Sequence, residues 1–216
     1  MDMLSAVKAF SPNPEMGFRI RQGACVSVET GYTCTVTIGG DTTQIAGVRY
    51  MGAPPRPGTS CFVATDGYDL FVFGQLAGYS SIPYARYERT TNQSIADAGE
   101  SLTFPSSVAD PWTMYSAGTF TTPCDGIWSV EASATFAANA TGNRSLTIYS
   151  GGTGPAATYA QRAYSPLAGT PVILNTTRIV SGAKGTAITV FAYQNSGGAL
   201  NVTAAAAAVA YLGAAE

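Results

Sequence analysis

Histidine is absent from all 216 residues. That removes the commonest general base and the commonest metal ligand together. Charged residues are scarce at 11%, against the usual quarter or so of a globular domain. With only two lysines (Lys8 and Lys184) and a formal charge of −2, the chain has no basic stripe to neutralise phosphates, so nucleic acid is not an expected partner. No apolar run reaches the roughly 18 to 20 residues that span a bilayer. The opening Met1-Asp-Met-Leu-Ser5 lacks the basic and apolar regions of a signal peptide. The expectation is synthesis in a cytosol, without membrane insertion.

Cysteine is also sparse. Cys25, Cys34, Cys61 and Cys124 show no close metal-ligand spacing, and without histidine a zinc site would need several of them to converge from separate strands. No metal or cofactor is expected. Buried free thiols acting as small hydrophobes are the favoured reading, although Cys25 and Cys34 face each other across a predicted hairpin and could oxidise outside a cell. Five Asn-X-Ser/Thr sequons, at Asn92, Asn139, Asn143, Asn175 and Asn201, reflect a sequence rich in Asn, Ser and Thr when nothing directs the chain to secretion.

What is present is small, neutral and patterned for strands. Hydrophobic residues make up 46% of the chain, with 24 glycines, and a largely neutral surface of this kind suits packing against other subunits. From 17 to 76 the sequence reads as five short strands. Phe18–Glu29 carries Val26 and Val28 on one face, Gly31-Tyr32 turns it into Thr33–Ile38, and Thr43–Met51 follows. Ala53-Pro-Pro-Arg-Pro-Gly58 must be a loop, because proline gives up its ladder donor. Cys61–Ala64 and Leu70–Phe73 flank an Asp66-Gly67 hairpin turn. Five strands in so short a stretch, the first one long, predict a small barrel of the oligonucleotide/oligosaccharide-binding (OB) type.

The chain then divides. Residues 79–92, with Pro83 and three tyrosines, read as the linker and the first strand of the next domain, with 79–89 set as the linker between domains at 1–78 and 90–216. In the second half Gly126-Ile-Trp-Ser-Val130 leads through Phe136 to Gly142-Asn-Arg144 and Ile148, and alternating segments continue to the end. In Ala204–Ala208 alanine favours helix, but the alternation favours a terminal strand. It predicts Leu200, Val202, Ala204, Ala206, Ala208, Ala210 and Leu212 on one face, with Asn201, Thr203, Val209 and Tyr211 opposite. Small side chains at Ala204, Ala206 and Ala208 would let subunits approach around a symmetry axis. Close packing within one chain is the alternative.

Little here points to catalysis. Asp97, Glu100, Asp110, Asp125 and Glu131 are the carboxylates a glycosidase pair would have to come from, yet each lies at a predicted turn or strand edge, where solvated carboxylates are ordinary. Gly39-Gly-Asp41 and Ser150-Gly-Gly-Thr-Gly154 lack the following helix and lysine of a phosphate loop. They read as hairpin turns. Among 12 tyrosines, Tyr149, Tyr159 and Tyr164 flank loops and are the candidate ligand contacts, since tyrosine supplies rigid amphipathic area.

Two resemblances follow from these residues. Ile38–Tyr50, with Pro57-Gly58, Asp66-Gly67 and Leu76-Ala-Gly78, resembles the N-terminal barrel of minor tail proteins from phages of actinobacteria. Residues 90 onward resemble the C1q/TNF-like jelly roll found at the C terminus of many phage structural proteins. The likeness is carried by Ser101–Phe104, Phe120–Val130, Ala134–Phe136, Gly142–Ile148, Ile173–Val180, Ile188–Gly197 and Leu200–Val202. The chain departs at Ser181-Gly-Ala-Lys-Gly185, where that family commonly has a Gly-Asp turn. Together they imply an all-β, non-enzymatic, homotrimeric minor tail protein of a bacteriophage. Its 1–78 barrel would attach to other virion proteins, and its knob would contact a host cell-wall glycan or surface protein. The location implied is the virion, assembled in the host bacterial cytoplasm. A head fibre or capsid decoration protein with the same knob is one alternative, and a carbohydrate-binding or carbohydrate-processing protein is another.

Overall fold

A computed structural model describes residues 19–65, 69–75, 82–152, 158–164 and 170–215, with 158–164 described as backbone alone. The chain forms two compact units, 1–81 and 82–216. All regular structure among the described residues is β.

In the first unit, β1 (Arg19–Val28), β2 (Thr33–Ile38), β3 (Ile45–Tyr50), β4 (Ser60–Thr65) and β5 (Leu70–Gln75) close in the order β1-β2-β3-β5-β4. Neighbours are antiparallel except β3 and β5, which pair in parallel through Arg49↔Phe71 and Tyr50↔Val72. The barrel is OB-like. Its interior is filled by Cys25, Val28, Cys34, Val36, Val48, Tyr50, Cys61, Val63 and Val72. Val26 does not share a face with Val28. The β1–β2 register shifts between Cys25 and Ser27, so Val26 is the extra residue of a bulge and turns outward, 38% exposed. The proline segment is the expected loop. It is laced to β1 by Cys25 N–H donating to Thr59 O at 2.9 Å and Gly58 N–H donating to Cys25 O at 2.8 Å. Asp66 and Gly67 of the predicted turn lie outside the described residues, as do 76–81.

The second unit contains β6 (Tyr84–Arg89), β7 (Gln93–Ile95), β8 (Glu100–Ser101), β9 (Ser106–Ala109), β10 (Tyr115–Ser116), β11 (Thr119–Thr121), β12 (Gly126–Phe136), β13 (Arg144–Ser150), β14 (Thr158–Tyr164), β15 (Val172–Gly182), β16 (Ala187–Gln194) and β17 (Leu200–Gly213). They make two sheets, one ordered β10-β11-β16-β13-β14 with β8 also on β16, the other β15-β12-β17-β6-β9 with β7 also on β17. Tyr84–Arg89, which the sequence placed in a linker, is thus an internal strand between β17 and β9. Its inward residues explain why: Ala85 is fully buried, and Tyr87 packs on Tyr115 and Phe120 at 4.3 and 5.9 Å between ring centroids. Small and amphipathic inward residues disguise the alternation.

Strict alternation along β12 puts Trp128, Val130, Ala132, Ala134 and Phe136 inward. Leu146 and Ile148 of β13 and Ile188, Val190 and Ala192 of β16 are buried on the facing sheet. Two glycines are required by close approach. A Cβ at Gly126 would fall on the Tyr211 ring and 2.8 Å from Gly213 O, and Gly142, at φ 73°, lies against the Asn195 backbone. At the departing turn Lys184 N–H donates to Asp125 Oδ1 at 2.7 Å, so a carboxylate from the neighbouring loop closes it.

Candidate functional site

The longest strand defines the site. β17 pairs with β12 on one side and β6 on the other, and its register against β12 shifts between Thr135↔Ala204 and Phe136↔Val202. One extra residue there reverses the phase of the strand. The face predicted from uninterrupted alternation is therefore split: Leu200 and Val202 join Ala205, Ala207, Val209 and Tyr211 in the core, while Ala204, Ala206, Ala208, Ala210 and Leu212 turn outward. Val209 and Tyr211, expected opposite Leu200 and Val202, are buried on the same face as those two residues.

The outward alanines form the floor of a broad face. Register places Asn175, Ser133, Ala206 and Glu88 in one row across β15, β12, β17 and β6, and Thr177, Glu131, Ala208 and Arg86 in the next. Ile173 and Ile179 stand on β15 at 67% and 59% exposure, and Leu212 is 58% exposed at the end of β17. Two shallow grooves of about 320 and 310 Å³ run over the stripe. The first lies between Arg86 and Glu131. Arg86 pairs with Glu88 at 2.9 Å.

The tyrosines lie on the other sheet. Tyr149 and Tyr159 are direct partners across β13 and β14, whereas Tyr164 is opposite Arg144. The strand brings the first two together and puts the third at its far end. The side chains of Tyr159 and Tyr164 lie outside the described residues. Tyr149 meets Phe191 edge-on at 5.9 Å, and Thr189, its partner on β16, has a buried hydroxyl without a hydrogen bond.

Four of the five carboxylates hold separate turns. Asp110 accepts from Met114 N–H at 2.8 Å, Tyr115 N–H at 3.0 Å and Tyr87 Oη–H at 3.0 Å. Asp97 accepts from Gly197 N–H at 3.2 Å, Asp125 closes the Lys184 turn, and Glu100 accepts from Gln93 Nε2 at 3.5 Å. Glu131, the fifth, lines the first groove. The Gly39-Gly-Asp41 segment is a turn whose Asp41 accepts from Thr43 N–H at 3.0 Å and Thr43 Oγ1 at 3.1 Å. These bonds hold its carboxyl below the usual range.

All four cysteines are free and buried. Burial, with Cys34 nearby, pushes the Cys61 thiol up to about 11, and burial pushes Cys124 up to about 12. A hydrogen bond with Cys34, reinforced by burial, raises Cys25 as well. No group of three or more Cys, Asp or Glu among the described residues is placed to hold a metal. One site was missed in the sequence. Arg144 is wholly buried, donating to Thr141 O at 2.9 Å, Asn143 O at 3.0 Å and Asn139 O at 3.3 Å. Nothing in its local pattern marks a buried cation, because its acceptors are backbone carbonyls.

Two sheets in these strand orders decide the architecture of the second unit. It is a jelly-roll sandwich of two sheets. No family model and no curated protein matches the chain. Among solved structures, the globular domain of zebrafish complement 1qA protein is similar at 12% identity and TM-score 0.48, over 61% of this chain and 97% of that one. The structure of Eiger TNF from S. frugiperda is similar at 13% identity and TM-score 0.48, over 62% and 95%.

Proposed function

We propose that the protein is a non-enzymatic structural component of a bacteriophage virion, a trimeric minor tail protein whose jelly roll is a self-associating knob and whose barrel attaches to the particle. The observation that carries the self-association is the outer face of β15-β12-β17-β6, where a strip of alanines runs beside exposed Ile173, Ile179 and Leu212. Large apolar side chains over a floor of methyl groups lose little by desolvation and gain close packing when a second copy covers them. The phage setting is supported by the sequence resemblances of both halves. The test is light scattering on the full chain at micromolar concentration: three chains per particle are expected, and Ala206→Arg should leave a folded monomer. A wild-type monomer would remove the reading. Antibody labelling of virions separates a tail protein from a head fibre.

Contact with a host glycan is a second reading, favoured by Tyr149, Phe191 and Tyr193 on the outer face of the other sheet. Retention of wild-type chain, but not Tyr149→Ala, on a host cell-wall preparation would support it, and cleavage of the glycan would overturn the structural assignment.

A further inference from the structure

On the outer face described above, the outward charged side chains are Arg86 and Glu88 on β6 and Glu131 on β12, while Arg89, which borders the second groove, is held on Thr103. The outward residues of β15 and β17 are neutral. Glu131 and Arg86 lie in one row with Ala208 between them. With strands about 4.8 Å apart, their backbones are about 10 Å apart. The groove between them is open, and Arg86 bonds to Glu88 on its own strand instead. Glu131 is exposed.

We infer that Glu131 of one copy pairs with Arg86 of the next copy in the assembly, which rests on the self-association proposed above. The alanines leave room, and the charges indicate the occupant. A rotation axis parallel to β17 keeps every residue at its own height, so the β12 flank of one subunit meets the β6 flank of the next. Because Glu131 and Arg86 share a row on opposite flanks of the stripe, that operation brings unlike charges together, and it does so at every interface of a closed ring. Arginine presents five donors in a planar fork and can serve Glu88 and the incoming carboxylate together. The pair sets register and excludes wrong partners more than it adds net affinity, since both charges lose water on association.

The experiment is a charge swap in the full chain, read by sedimentation over a concentration series. Glu131→Arg and Arg86→Glu should each weaken association by about 100-fold or more, because each sets like charges against each other, and the double variant Arg86→Glu/Glu131→Arg should recover to within about tenfold of wild type. Glu131→Gln, which keeps the side-chain shape, should weaken association about tenfold and retain the wild-type near-ultraviolet circular dichroism, so a loss of association is separated from a loss of fold. Wild-type association with no rescue in the double variant, or no effect of either single reversal, overturns the pair and leaves the self-association standing. A wild-type chain that stays monomeric overturns both.

Discussion

Arg144 shows how one residue can hold an end of the sandwich. Its guanidinium is wholly buried and serves three backbone carbonyls, and burial lowers its pKa. Arg144→Met would remove the cost of a buried charge but also the three hydrogen bonds that tie Asn139, Thr141 and Asn143 to the end of β13, and hydrogen bonds to a charged group contribute about 1.5 to 3 kcal/mol each. We expect a net loss of at least about 2 kcal/mol in urea unfolding. Cys124 adds a pH effect. Its thiol is raised from 9.0 to about 12 by burial, so the folded state holds the proton more tightly than the unfolded one. Its contribution is therefore fully present below pH 9 and falls by up to about 1.4 kcal/mol per pH unit as pH rises toward the folded value. Cys124→Ala should flatten that alkaline decline relative to wild type. Alkaline melts of the two proteins measure the difference.

At the scale of the element, β12 and β17 differ in how far sequence discloses them. Along β12 the large residues Trp128, Val130 and Phe136 alternate with Ser129, Glu131 and Thr135, and the inward face is legible directly. Along β17 the run Ala204–Ala208 carries no contrast, so alternation extrapolated from Leu200 and Val202 misplaces everything beyond the bulge. The bulge is set by pairing with β12, which local sequence does not contain. A test follows from the period of two: inserting one alanine between Ala206 and Ala207 would turn Val209 and Tyr211 outward and strip Trp128 of the ring packed on it at 5.2 Å. We expect cooperative unfolding of the second unit to disappear, as read by near-ultraviolet circular dichroism.

For the whole molecule, the two units have separate cores, the barrel's built on Cys34, Val36, Cys61 and Val63, the jelly roll's on Trp128, Phe136, Leu146 and Ile188. A fragment beginning at Ile82 retains β6, and we expect it to fold and self-associate like the full chain. One beginning at Thr90 lacks the strand between β17 and β9 and should be insoluble or monomeric. Light scattering on the two fragments distinguishes these outcomes.

The all-β class, the barrel type and the barrel strands followed from the local pattern of the sequence, because turn residues and a period of two survive without neighbours, and the jelly-roll type was what the family resemblance implied. The alanine candidates Ala204, Ala206 and Ala208 were placed on one face from the sequence, but the tyrosine candidates could be named and not arranged. Tertiary structure decided that β6 is an internal strand, that β17 changes phase at its bulge, that Tyr164 stands apart from Tyr149 and Tyr159, and that Arg86 and Glu131 share a row across the alanine stripe. Each depends on which strands pair and in what register, and register is a property of two strands at once.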